Sequence, residues 1–100
     1  FAKIAGEMVS LTAVESYLSK LWPDAAHAVV SLPDAKKGER LILLTEQKDA
    51  ERAPIVAYTK QEGIGELSLP KTIHIVDKIP LLGTGKLDYV SIKQLAEELS

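Results

Sequence analysis

The sequence predicts an α+β fold: an N-terminal β-hairpin and a small three-stranded sheet covered by three helices. Three observations point there. Segments with apolar residues at helical spacing alternate with short apolar and β-branched runs of strand length. Glycine, proline and aspartate separate these segments at short intervals. Hydrophobic residues make up 46% of the 100 residues and charged residues 26%. That balance supplies one core and does not fit a disordered chain.

The first element is a hairpin over residues 1–11, bent at Ala5-Gly6-Glu7, with Phe1, Ile4, Met8, Val9 and Leu11 as its apolar positions. Thr12-Ala13-Val14-Glu15 reads as a capping box that opens a helix. Leu11, Val14, Leu18 and Leu21 give that helix one apolar face, and Pro23 ends it. Residues 25–32 read as a buried strand. Residues 33–38 form a solvated turn, and Leu41-Ile42-Leu43-Leu44-Thr45 returns as its antiparallel partner. A second helix runs from Glu51 to Glu62; Pro54 fits only its first turn and Gly63 stops it. Residues 72–77 form the third strand. The last helix begins at Asp88 and carries Ile92, Leu95, Ala96 and Leu99 on one face.

Composition removes several function classes. A net charge of −2 provides no basic excess to draw in nucleic-acid phosphates. With no cysteine there are no disulfides, thiolate metal sites or cysteine nucleophiles. The longest apolar runs are about five residues, far short of the ~20 that a membrane helix needs. His27 and His74 lie among apolar residues with no carboxylate at ligand spacing, and read as structural. Trp22 beside Pro23 reads as closing the core under the first helix, Tyr17 and Tyr58 as helix-face packing, and Glu97-Glu98 as a solvated helix end. Lys36-Lys37 reads as an exposed turn, with docking of an acidic carrier protein as a second reading. The chain opens at Phe1 and its one methionine is Met8, which predicts a piece of a longer protein.

The chemistry concentrates in Ile79-Pro80-Leu81-Leu82-Gly83-Thr84-Gly85-Lys86-Leu87-Asp88. Two glycines free the backbone for close approach to a ligand. Lys86 is a mobile charge suited to a phosphate or a carboxylate. A glycine-rich turn with a solvated lysine is the competing reading. The loop is not a P-loop, because Pro80 stands where that motif has glycine and Leu87 where it has serine or threonine. It is not a dinucleotide fingerprint either, since Asp88 replaces the third glycine.

Pro80, Thr84, Gly85, Lys86, Leu87 and Asp88 resemble, in register, the last core motif of the adenylate-forming (AMP-binding) acyl ligases. Tyr89 stands where that motif usually has arginine. Residues 1–9, with Lys3 and Gly6, resemble the family's hinge-proximal hairpin; Thr12 to Glu15 matches the following helix start, and Leu69-Pro70-Lys71 falls where the family has its proline before the third strand. The pair of motifs, in order and at this spacing, spans the whole chain. Gly-Glu-Met-Val-Ser at 6–10, Leu-Gly-Thr-Gly-Lys at 82–86 and Tyr89 are most similar to a bacterial branch of the family. In that branch an acyl-carrier-protein synthetase is fused to a 2-acylglycerophosphoethanolamine acyltransferase.

The resemblance implies that residues 1–100 form one domain, the mobile C-terminal lid of a larger ligase whose hinge lies just before Phe1. It implies activation of a fatty acid as acyl-adenylate, then transfer to the pantetheine thiol of acyl carrier protein or coenzyme A, in phospholipid acylation or remodelling. By it Lys86 is the adenylation lysine, supported by Gly83, Thr84 and Gly85; Thr84 fits a donor near the nucleotide or a plain turn residue. Lys3 and Gly6 lie on the path of the thiol arm, with a solvated lysine and an ordinary hairpin turn as the competing readings. ATP with Mg2+ is implied, held mainly by an N-terminal adenylation domain, which is the expected partner together with the carrier protein or coenzyme A and a fatty acid or lysophospholipid. The implied location is the cytoplasmic face, with any inner-membrane attachment made by other parts of the parent. A non-catalytic interaction module that keeps the same fold is the competing function.

Overall fold

The run Leu41-Ile42-Leu43-Leu44-Thr45 is apolar without a break because it is buried on both faces, each residue being 1% exposed or less. It belongs to the central strand of the computed structural model, which describes residues 1–100. The elements in chain order are β1 (Ala2–Ile4), β2 (Glu7–Val9), α1 (Leu11–Leu21), β3 (His27–Asp34), β4 (Gly38–Thr45), α2 (Arg52–Glu62), β5 (Thr72–Ile75) and α3 (Tyr89–Leu99). A short 3-10 turn, Glu66–Ser68, precedes β5.

β3 pairs antiparallel with the full length of β4, from His27 opposite Thr45 to Asp34 opposite Gly38. The other edge of β4 is shared. β1 meets its first residue, Ile4 opposite Gly38, while β5 runs parallel to its second half, from Ile42 opposite Thr72 to Thr45 opposite Ile75. The hairpin therefore continues the three-stranded sheet instead of standing apart from it.

Alternation along β3 and β4 divides the core in two. Val29, Leu41 and Leu43 face Val14, Leu18 and Ile55 of α1 and α2, together with Ala2, Ile4 and Val9 of the hairpin. Ala28, Val30, Ile42 and Leu44 face Ile79 and the α3 residues Ile92 and Ala96. The order of layers is thus α1 and α2, the sheet, then α3. Each fully buried leucine or isoleucine contributes about 1.5–3 kcal/mol relative to exposure.

Several boundaries differ from the sequence reading. α1 is capped by Ser10, whose Oγ accepts the Ala13 N–H at 3.2 Å, so Thr12 lies inside the helix and the expected box does not form. Glu15 is drawn elsewhere: its Oε2 accepts the Val29 N–H at 2.8 Å. β3 is an edge strand, and an outward N–H there has no ladder partner, so a long-range carboxylate satisfies it. The same edge position lets β3 run through Pro33, which has no N–H to lose. β4 begins earlier than expected, at Gly38, whose φ of +86° makes the tight reversal. β5 ends at Ile75, two residues early. Leu99 is 46% exposed at the end of α3, so the buried stripe of that helix is Ile92 and Ala96, with Leu95 packed beside it.

Candidate functional site

The loop 79–88 is fastened at both ends. Ile79 is buried against α3 and its N–H donates to Glu46 Oε2 at 2.8 Å. The Asp88 N–H donates to the Pro80 carbonyl at 3.1 Å and closes the neck. Inside the neck Leu81 bridges Leu87, and the Leu82 N–H donates to the Lys86 carbonyl at 2.7 Å. The Gly85 N–H donates to the Leu82 carbonyl at 2.9 Å, which makes residues 82–85 a β-turn. Gly85 has φ +88°, whereas Gly83 does not adopt a positive φ. The four-residue tip is therefore a small hydrogen-bonded hairpin that projects into solvent, with Gly83, Thr84, Gly85 and Lys86 all exposed. The chain's salt bridges are Lys48 to Asp77 and Lys71 to Asp34, and neither involves Lys86.

The root of the loop is equally defined. Asp88 caps α3: its Oδ1 accepts the Ser91 N–H at 3.2 Å and its Oδ2 accepts the Ser91 hydroxyl at 2.8 Å. Those bonds, the hydroxyl foremost, hold the Asp88 carboxyl below the usual aspartate range. The next residue, Tyr89, donates its hydroxyl to Glu15 across to α1, at 2.7 and 2.8 Å from the two carboxylate oxygens. Desolvation, then the bond to Glu15 and its charge, push the phenol upward, so it stays a donor at neutral pH.

The hairpin bears the second group of residues. Ala5 (φ +51°) and Gly6 (φ +84°) both take left-handed conformations, as a two-residue turn with the twist of its strands requires. Nothing lies within 4 Å of a Cβ placed on Gly6. The Lys3 N–H donates to Glu39 Oε2 at 2.6 Å, and the Ser31 hydroxyl donates to Glu39 Oε1 at 2.9 Å. The backbone bond from Lys3, then the Ser31 bond, keep the Glu39 carboxyl low. The Ala5 N–H donates to the Lys37 carbonyl at 2.9 Å, so the hairpin is tied to the β3–β4 turn at two points.

These two groups are not brought together. Ala2, Ile4 and Val9 root the hairpin in the α1 and α2 side of the core, while Ile79 and Leu87 root the lysine loop in the α3 side. The domain thus carries separate polar features on opposite sides of one sheet.

Sequence reasoning missed an open cleft of about 330 Å3 beside the hairpin. Lys37, Arg52, Lys60 and Lys71 line it, with Glu66 and Leu67. Its narrow continuation holds Arg40, whose Nε is buried without a partner. Spacing within α2 was the available signal, since Arg52, Val56 and Lys60 recur four apart on one face. His27 is structural as expected. It is 6% exposed, with Nε2 donating to the Trp22 carbonyl at 2.8 Å and Nδ1 2.8 Å from Thr45 Oγ1. His74 Nε2 lies 3.1 Å from Ser100 Oγ. Tyr17 stacks on Tyr58 at 6.1 Å and donates its hydroxyl to the Ser68 carbonyl.

The sequence profile of the AMP-binding enzyme C-terminal domain matches residues 13–86. The chain is 32% identical over 99 residues to the 2,3-dihydroxybenzoate-AMP ligase of Bacillus subtilis (strain 168), covering 95% of this chain and 17% of that protein. It is 34% identical over 97 residues to the acetyl-coenzyme A synthetase of Deinococcus radiodurans, covering 93% of this chain and 15% of that one. Among solved structures, the fatty acyl CoA synthetase of Mycobacterium tuberculosis superimposes with a TM-score of 0.79 at 28% identity, over 97% of this chain and 20% of that one. The chain spans about a sixth of the length of each of these two curated relatives.

Proposed function

The chain belongs to the AMP-binding enzyme C-terminal domain family, and on that premise we propose that it is the mobile lid of an ATP-dependent acyl ligase, joined to an N-terminal adenylation domain. In the first half-reaction a carboxylate oxygen attacks the α-phosphorus of ATP. A phosphorus–oxygen bond forms, the bond to the bridging oxygen breaks, and pyrophosphate leaves. Two anions must approach each other, and a cation in contact with both offsets their repulsion. The observation that carries the reading is Lys86: an exposed cation outside both ion pairs of the chain, at the end of a hydrogen-bonded loop anchored on both sides. The tight turn through Gly83, Thr84 and Gly85 makes the loop tip small enough to enter a cleft between domains.

In the second half-reaction a pantetheine thiol displaces AMP from the acyl-adenylate. The hairpin, with Gly6 at its turn and Lys3 beside it, would present a smooth backbone to that arm. Its position across the sheet from Lys86 fits a domain that turns between the two steps. The cleft of Lys37, Arg52, Lys60 and Lys71 beside the hairpin suits the phosphate of an acyl carrier protein arm or of coenzyme A. Mg2+ and most contacts to ATP belong to the adenylation domain.

We further propose a fatty acid as the acid substrate and acyl carrier protein or coenzyme A as the acceptor, in a protein that acylates lysophospholipid at the cytoplasmic face through a fused acyltransferase. The motif residues 82–86 and Tyr89 support this branch, while the relatives above are named for other acids as well. Pyrophosphate exchange by the complete ligase, run with a long-chain fatty acid, acetate and 2,3-dihydroxybenzoate, tests it. Exchange driven by the fatty acid alone is expected; exchange driven only by acetate or the aryl acid would overturn the substrate assignment. Exchange by the isolated 100-residue domain would overturn the lid reading itself.

A further inference from the structure

Glu15 joins three elements that pack in different layers. It stands on α1, accepts the Val29 N–H at the open edge of β3, and accepts the Tyr89 hydroxyl at the start of α3. α1 lies on one face of the sheet and α3 on the other, so the Tyr89–Glu15 contact wraps around the edge of β3. Tyr89 is 45% exposed, and the bond to Glu15 fixes where its hydroxyl sits. The first core anchor of α3 is Ile92, nearly a turn further on. Between the solvent-facing tip and that anchor, the loop's C-terminal root is held by the Asp88 N–H bond to Pro80, the Leu81–Leu87 bridge, the partly buried Leu87, the Asp88 cap and this latch, and of these the latch is the one that reaches α1.

We infer that Tyr89 is a positioning residue for Lys86: by tying the first turn of α3 to Glu15 across the β3 edge, it sets the direction in which the lysine leaves the domain. The inference rests on the adenylation role proposed for Lys86. Without the latch, the neck bonds and the Asp88 cap keep the loop closed, but its tie to α1 is lost, and the loop with Lys86, three residues before Tyr89, can tilt as a unit relative to α1. A misplaced charge loses much of its effect on a reacting centre.

The test uses the complete ligase and variants Tyr89→Phe, Glu15→Gln, Tyr89→Arg, Lys86→Ala and Lys86→Ala/Tyr89→Phe. Tyr89→Phe removes one donor to a charged acceptor and should lower kcat for pyrophosphate exchange about ten-fold, with KM for ATP and acid within about two-fold. Glu15→Gln keeps an acceptor without its charge and should lose less. Arginine at 89 can donate to the same carboxylate and should restore exchange to within about three-fold of the parent. Adding Tyr89→Phe to Lys86→Ala should cause no further loss, because the latch acts through the lysine. Parental exchange in Tyr89→Phe, no rescue by arginine, or a further ten-fold loss in the double variant would each overturn the latch. Parental exchange in Lys86→Ala would instead overturn the role of the lysine, and the latch with it.

Discussion

Gly83 and Gly85 flank Thr84 symmetrically, yet the structure predicts opposite results when each is replaced by alanine. Gly85 has φ +88°, a conformation that costs an L-residue about 1–2 kcal/mol. Gly83 has no positive φ, and a Cβ built on either residue meets nothing within 4 Å. Steric clash is therefore absent from both substitutions, and backbone conformation alone separates them. Gly85→Ala should shift the tip away from its native turn by a factor of about 5–30 and lower pyrophosphate exchange by a similar factor. Gly83→Ala should leave exchange within about two-fold. It should also raise stability by about 0.4–1 kcal/mol, because the unfolded chain loses freedom that the native turn does not use. Thermal unfolding of the domain and exchange by the complete ligase give the two readouts. A Gly83→Ala loss equal to that of Gly85→Ala would refute the conformational reasoning and point to close approach of bound substrate at both positions.

Other consequences can be measured on the same material. Ile92→Ala empties the site that seats α3 and the root of the lysine loop, and should cost about 2–5 kcal/mol in urea unfolding; a loss below about 1 kcal/mol would contradict the packing described. Replacing Gly6 by leucine should impair thioester formation more than adenylation, and equal losses would remove the hairpin from the thiol path. Asp34, Glu39, Asp77 and Asp88 all hold their carboxyls below the usual range in the folded state. The folded chain therefore binds these protons less readily than the unfolded chain, so their stabilisation is complete above the unfolded pKa values and is lost as pH falls through the lowered ones. Their contribution, read as the Tm difference between the domain and its Asp34→Asn/Glu39→Gln/Asp77→Asn/Asp88→Asn variant, should be flat between about pH 7 and 5 and shrink below about pH 4; a contribution that grows on acidification would contradict this sign.

The order of elements was legible because its signals are local. Pro23, Pro54 and Gly63 mark helix ends, Ala5-Gly6 marks a turn, and the run at 41–45 has the length and apolar character of a strand. The lysine loop was legible for the same reason, since its glycines, Pro80 and Asp88 lie within ten residues. What escaped depends on distant partners. Thr12 with Glu15 fits a capping box in isolation, but Ser10 takes the cap and the unpaired edge of β3, together with Tyr89, claims the carboxylate. Nothing near Glu39 in the chain marks it, because the groups that converge on it, the Lys3 N–H and the Ser31 hydroxyl, come from other strands. The parallel pairing of β5 with β4 and the basic cleft both join residues far apart in the chain, which no short window can show. Gly83 and Gly85 look equivalent in sequence, and only the backbone angles distinguish them.

Whether Lys86 serves adenylation alone is tested most directly by Lys86→Ala in the complete ligase, with the two half-reactions measured separately. Loss of one charge-stabilising donor costs about 3–4 kcal/mol, so pyrophosphate exchange should fall roughly a hundred- to a thousand-fold. Acyl transfer from a supplied acyl-adenylate should stay within a few-fold of the parent, and thermal unfolding should not move, because the exposed loop tip buries little. Transfer that fails as badly as adenylation in a folded variant would contradict a lysine committed to the first half-reaction.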